Sequence, residues 1–478
     1  MKKFLIIFIA FFAAIMFTAC GQKEVDAVFE LKTAEDIKNA SGTIEISFRV
    51  PSGVNATALQ LMVPEFESLW DGKIKVNLDI VSSGYDGLLS TNVYDLNNGK
   101  APDMTMGYPD HLALYFGGNG LQSLSPYINA EKDFNLEDFV PAYLPENQIA
   151  DSNEDYYGLP LNKSTEVMIY NKTVFDAMGY EVPTTWDEVE ELGLQILADA
   201  KDKKLDAVEG IQFDADDKLV SEYLEKDMFC PFAYDSTDNA FVTICKQWDA
   251  SYTRRETVDK GYALFNNPNT IEALTYFQGL AKEGVFTVAE KFEESYASNA
   301  FKSLKCLMTV GSSAGVGYNL PEGDKFEIGV APIPVRDEDH KYVISQGTNV
   351  CILNQTTNLK KAACWQLIKY LTEKDNTVTF ATTTGGYLPV RLSSYDTEKY
   401  KNWCNVDLNL AYHYALSATV SIAYKQTYTM FVDDAFVGSS TIREEVGTAF
   451  SKIIVQKANV ETTLKESMET IGPKYWEK

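Results

Sequence analysis

Three tyrosines, a few small polar groups and one arginine are the residues of this 478-residue chain best placed to do chemistry. Tyr85 lies in SSGYDG and Tyr108 and Asp110 in MGYPDH, each just beyond a strand-like run, and Tyr387 lies in GGYLPVR, in an irregular join. An aromatic face stacks on the C–H surface of a sugar ring, while acids, amides and hydroxyls meet its OH groups. For each of these residues the alternative is plain packing or surface exposure. Ser312 and Ser313 precede AGVGY, a helix start whose free N–H groups bind oxygens; simple N-capping is the alternative for one of them. Arg443, in SSTIREEVG, presents a rigid fork suited to phosphate and to vicinal hydroxyls. Its alternative is an ion pair with neighbouring acids. Lys163 offers a second positive charge, Trp186 reads as core, and Arg391 as a salt-bridging surface residue.

Alternating strands and helical segments position these groups. GTIEISFRV (42–50), KIKVNLDIV (73–81) and PDMTMGY (102–108) read as strands, each followed by a helical stretch. Such βαβ units form parallel sheets that favour ligands beyond the carboxyl ends of their strands. FEIGVAPIPV (326–335) and TNVCILN (348–354) return to strand pattern, NLKKAACWQLIKYLTEKD is an amphipathic helix, and ATTTGGYLPVR (381–391) an irregular join. The stretch YGLPLNKSTEVMIYN (157–171) is apolar at both ends and polar at Lys163-Ser164-Thr165-Glu166. Its ends fit two different sheets, with the polar middle exposed to solvent and ligand between them. Pro160 suits such a crossing and not a central ladder.

Composition narrows the function. A formal charge of −26 makes nucleic acid and anionic lipid poor partners. No zinc-ligand cysteine spacing occurs, and there are three histidines. G-x-x-x-x-G-K-[ST], G-x-S-x-G and H-E-x-x-H are absent. A glycosidase needs two carboxylates facing each other across a cleft, and no motif nominates a pair. Neither metal nor cofactor is implied. Cys230 and Cys245 are left open as a pair or as separate thiols.

The N-terminus has two lysines, a 14-residue apolar run from Phe4 to Phe17, and small residues ending at Cys20. That is a secretory signal over residues 1–19, too short to span a bilayer comfortably. Phe17-Thr18-Ala19-Cys20-Gly21 resembles a bacterial lipobox, which implies lipidation of Cys20 and a polar tether over 20–40.

Four patches resemble the extracellular solute-binding proteins of ATP-driven importers, the family that holds maltose- and glycerol-3-phosphate-binding proteins. They are APDMTMGYPDHLALYFGGNGLQSLSPYI, YGLPLNKSTEVMIYNKTVFDAMGYEVPTTWDEV, LMTVGSSAGVGYNL with FEIGVAPIPV, and QGTNVCILN through TTTGGYLPVR. The segment Asp199–Trp248 departs from the family. The resemblance implies an α/β, two-lobed clamshell with three interdomain crossings, near 159–166, 320–330 and 376–388. Lobe I takes 41–158 and 327–375; lobe II takes 163–322 and 385–478. It also points to Tyr85 and Gly347 as ligand contacts, beside Ser164 in the polar middle of 157–171, and places Arg443 where glycerol-3-phosphate binders hold phosphate. The expectation is a monomeric, lipid-anchored binding protein, not an enzyme, that passes a mono- or oligosaccharide to a membrane permease. A glycerol 3-phosphate or glycerophosphodiester ligand stands second. A secreted glycosidase, or an adhesin or sensor, is the reading from another class.

Overall fold

The computed structural model describes residues 24–149, 151, 154–209, 211, 219–404 and 429–477. Cys20 and the signal sequence lie outside the described residues. The strands are β1 (Ile44–Pro51), β2 (Ile74–Val81), β3 (Met104–Gly107), β4 (Leu159–Asn171), β5 (Phe232–Tyr234), β6 (Thr253–Thr257), β7 (Lys260–Ala263), β8 (Phe286–Val288), β9 (Met308–Ser312), β10 (Ile328–Ala331), β11 (Tyr342–Ile352) and β12 (Thr429–Phe431). One continuous series runs β2-β1-β3-β11-β4-β9-β5-β8, with β10 added to β4 and β12 to β11. β1 is parallel to β2 and β3, as the βαβ pattern predicts, and β5 is parallel to β8 and β9.

β4 changes partners halfway along. Leu159–Thr165 run antiparallel to β11; Glu166–Tyr170 pair with β9, and Met168–Asn171 also with β10. Its apolar residues change core at the same point: Leu159 and Leu161 pack with β1 and β3, whereas Val167, Met168 and Ile169 pack with β5 and β8. One strand therefore serves two lobes, and the chain is a two-lobed α/β protein. Pro160, which the sequence reading kept out of a central ladder, sits within this strand. The ladder accommodates it where β11 slips register between Thr348 and Asn349.

β11 makes the second passage between cores. Phe326, Ile328, Ile333, Val343 and Ile344 belong to the lobe II core, and Val350 and Ile352 to that of lobe I. The sequence reading put this crossing at 320–330 and lobe I from 327. Pairing of β10 with β4 keeps 328–331 in lobe II. The third passage follows the helix Lys374–Thr384, which takes in the first four residues of the join read at 381–391 and is capped by Gly385 in the left-handed conformation; the rest of the join is irregular, as read. Phe380 and Tyr387 face the first core, Val378 and Leu388 the second.

Residues 26–40 also differ from the expected tether. Asp26 and the Val28 carbonyl accept hydrogen bonds from Asn358, Phe29 packs edge-on against Tyr127, and Ile37 is fully buried in a short helix, Ala34–Asn39. Trp186 is core as read, opening a helix capped by Thr185 with Glu188. Among the described residues no helix is long and apolar enough to cross a membrane. Cys230 and Cys245 are separate buried free thiols.

Candidate ligand-binding cleft

Successive strand residues point to opposite faces, so Asn162, Ser164 and Glu166 line one side of β4. Each meets a different group there. Asn162 donates to the Tyr85 hydroxyl at 2.9 Å and to Asn55 Oδ1 at 3.0 Å, and the Tyr85 and Tyr387 hydroxyls are 3.0 Å apart. Tyr108 packs on Tyr85 with ring centroids 4.8 Å apart. Burial raises the pKa of Tyr85 and of Tyr108, so both hydroxyls stay protonated. Ser164 accepts from Ser312 at 3.2 Å and donates to Gln346 at 3.4 Å. Glu166 Oε2 accepts from the Tyr234 hydroxyl at 2.5 Å.

Beyond Glu166 lies a charged cluster. β5 leads into the helix Thr237–Gln247, whose first turn carries Asp238 and Asn239; the helix Ser439–Val455 packs against it and carries Arg443. Arg443 donates to Asp238 and Asp433, both at 2.7 Å, and to Asn239. Burial opposes the charge on Arg443, but Asp433 and Asp238 outweigh it and raise its pKa. Burial likewise opposes the charge on Asp238, which the guanidinium nonetheless holds below the usual carboxylate range. The charge of Asp110 acts on Tyr108, Arg443 and Asp433 across the cleft.

Tyr85, Tyr108, Asp110, Ser164, Ser312, Tyr387 and Arg443 are thus brought to one seam. Two candidates are occupied otherwise. Ser313 is fully buried, accepts from the Thr165 N–H and donates to the Gly386 carbonyl, each at 3.3 Å, so its hydroxyl ties crossings together. Gly347 has φ +103°, and a Cβ there would overlap the Asn162 carbonyl. Its glycine is required by the close approach of the neighbouring strand. The polar middle of β4 is buried, not exposed as read, because each side chain finds a partner: Lys163 pairs with Glu146 and donates to the Gly347 carbonyl at 3.1 Å, and Thr165 donates to the Ile344 carbonyl. Arg391 is buried too, stacked 4.2 Å over Phe139 and bonded to the Thr372 and Asn135 carbonyls.

Sequence reasoning did not single out Asn55, Asn162, Asp238 or Asp433, and named Glu166 only within the polar middle of 157–171. The period-2 spacing of Asn162, Ser164 and Glu166 was a usable signal for two of them; the other three come from remote segments. A cavity of about 970 Å³ opens at the other end of β5, lined by Cys230, Phe286, Lys291 and Lys457 among others, away from this seam.

The lobes also touch beside the cleft. The hairpin β6–β7 belongs to lobe II, with Ala263 in that core. Its tip residue Val258 is buried among Leu112, Tyr115 and Cys351 of lobe I. The Val258 N–H donates to Asp151 at 2.8 Å, and Arg255 pairs with the same carboxylate at 2.6 Å.

Known proteins resemble this arrangement throughout. An ABC substrate-binding protein of Listeria monocytogenes in complex with cycloalternan superposes with a TM-score of 0.70 at 18% identity, covering 90% of this chain and 98% of that one. UgpB of Mycobacterium tuberculosis in complex with glycerophosphocholine gives the same TM-score, identity and coverage. In sequence, the sn-glycerol-3-phosphate-binding periplasmic protein UgpB of Shigella dysenteriae is 23% identical over 321 residues, 65% of this chain and 66% of that protein. The model of the bacterial extracellular solute-binding protein family matches residues 62–407, and the chain belongs to that family.

Proposed function

We propose that this protein captures a mono- or oligosaccharide between its lobes and delivers it to the membrane permease of an ABC importer. It acts without a covalent step, as a monomer held to the membrane by lipid on Cys20. Ligand contacts in both lobes would stabilise the closed form, which the permease recognises. The supporting observation is the character of the seam: tyrosine faces, amides and hydroxyls along β4, with the Arg443 guanidinium already neutralised by Asp238 and Asp433. A neutral polyhydroxy ligand can exchange hydrogen bonds with that cluster without separating its charges.

Arg443 itself favours a second reading, a glycerol phosphate or glycerophosphodiester, because a guanidinium at a cleft is the usual partner of phosphate. A thermal-shift comparison of saccharides with sn-glycerol 3-phosphate separates the two. Binding adds about RT ln(1 + [L]/Kd) to stability, so micromolar ligands register at millimolar concentration. Stabilisation by glycerol 3-phosphate and by no saccharide would overturn the carbohydrate reading.

A further inference from the structure

Glu166 is 1% exposed, and among the described residues its Oε1 has no hydrogen-bond partner. A buried polar atom without a partner carries a desolvation cost that a native protein rarely leaves unanswered. Its place in the fold suggests what answers it. Glu166 continues the face of Asn162 and Ser164, stands opposite Ser312 in the β4–β9 ladder, and lies within the field of the Arg443–Asp238 pair. We propose that Glu166 is a ligand-recognition residue at the centre of the cleft floor, whose carboxylic acid donates from Oε1 to a ligand oxygen. The inference rests on the carbohydrate reading of the cleft.

The surroundings select the acid form. Tyr234 and Asp235 at the end of β5, Asp238 on the helix Thr237–Gln247 and Arg443 on the helix Ser439–Val455 are the ionisable groups that act on it. β9 and β10 carry no charged side chain, β11 brings Tyr342 and Cys351, the turns Ser313–Asn319 bring Tyr318, the helix Lys172–Met178 brings Lys172 and Asp176, and the helix Lys374–Thr384 has its charges in its first turn. Burial is the largest influence and pushes Glu166 up to about 8; the Tyr234 hydrogen bond and Arg443 pull the other way, while Asp238 and Asp235 add to the rise. Tyr234 donates to Oε2, so the proton of the acid resides on Oε1, the free atom. A donor aimed at the ligand discriminates against a group that can only donate there, such as an ammonium, and accepts a hydroxyl, ether, carbonyl or phosphate oxygen. Capture then depends on one proton: affinity holds below the raised pKa and falls as pH climbs through it, by up to about tenfold per unit.

The test uses the whole protein, with maltose, maltotriose and cellobiose as neutral probes and sn-glycerol 3-phosphate as the anionic one. Affinity is measured by calorimetry from pH 6 to 9.5 for the best saccharide. Glu166→Gln keeps the volume and offers an N–H donor; Glu166→Met keeps the volume and offers none. Support would be wild-type affinity falling above pH 8, a pH-flat profile for E166Q at near wild-type affinity, and about a tenfold or greater loss for E166M with unchanged circular dichroism. E166M binding like wild type, or affinity rising with pH, would overturn the assignment and leave the carbohydrate reading intact. No stabilisation of the wild type by any saccharide would overturn both.

Discussion

Gly347 and Asn162 lie so close that a side chain on the first would occupy the carbonyl of the second. They are the point where β11 and β4, the two long strands shared by the lobes, press together. Gly347 also holds φ +103°, a conformation that residues with a Cβ rarely adopt. Gly347→Ala is therefore expected to destabilise the fold by about 3 kcal/mol or more, since clash and backbone strain act together. Urea denaturation would show it as a lowered midpoint with an unchanged slope; a shift below 1 kcal/mol would mean that the strands can part without cost.

Next to this contact the Lys163–Glu146 pair is almost wholly removed from water, with side chains 0% and 2% exposed. Burial lowers the Lys163 pKa, and Glu146 restrains the drop. Replacing one partner leaves a buried charge alone, which costs about 3–5 kcal/mol, whereas replacing both with apolar residues is often neutral. Lys163→Met should thus lose several kcal/mol in chemical denaturation, and Lys163→Met with Glu146→Leu should recover most of it. Additive losses would contradict the pairing.

The hairpin tip at Val258 couples the lobes through apolar burial and the Asp151 carboxylate. Val258→Asp would place a charge among Leu112, Tyr115 and Cys351, at a cost no short hairpin can meet while docked. The expected result is a larger radius of gyration in solution scattering without ligand, and weaker ligand binding, with lobe secondary structure unchanged. An unaltered scattering profile would show that the hairpin does not hold the lobes together.

Arg443 has its charge satisfied inside the protein, which sets an order of effects. Asp238→Asn removes one of its two carboxylates and should raise affinity for glycerol 3-phosphate by about tenfold while changing saccharide binding by less. Arg443→Ala should abolish any phosphate-dependent binding. Calorimetric titration of the three proteins reads both; a fall in phosphate affinity in D238N would mean that Asp238 positions the guanidinium rather than competing for it.

The amino-acid sequence determined the local elements and the lobe count. The alternating runs at 42–50, 73–81 and 102–108 became parallel strands because period-2 apolar patterns and intervening helices leave few other packings. The tyrosines and Arg443 stood out because their side chains have few chemical uses beyond a loop or helix start. Only the tertiary structure decided which polar groups meet a ligand and which meet the protein. Ser312 and Ser313 are adjacent and chemically identical, yet one joins Ser164 at the seam and the other bonds two backbone segments. Asp238 and Asp433 reach Arg443 across 205 and 10 positions of chain, and Glu146 reaches Lys163 across 17. Hydrogen bonds and ion pairs act over a few ångströms in space, whereas periodicity records only what lies a few residues away along the chain. The seam is built almost wholly from the former.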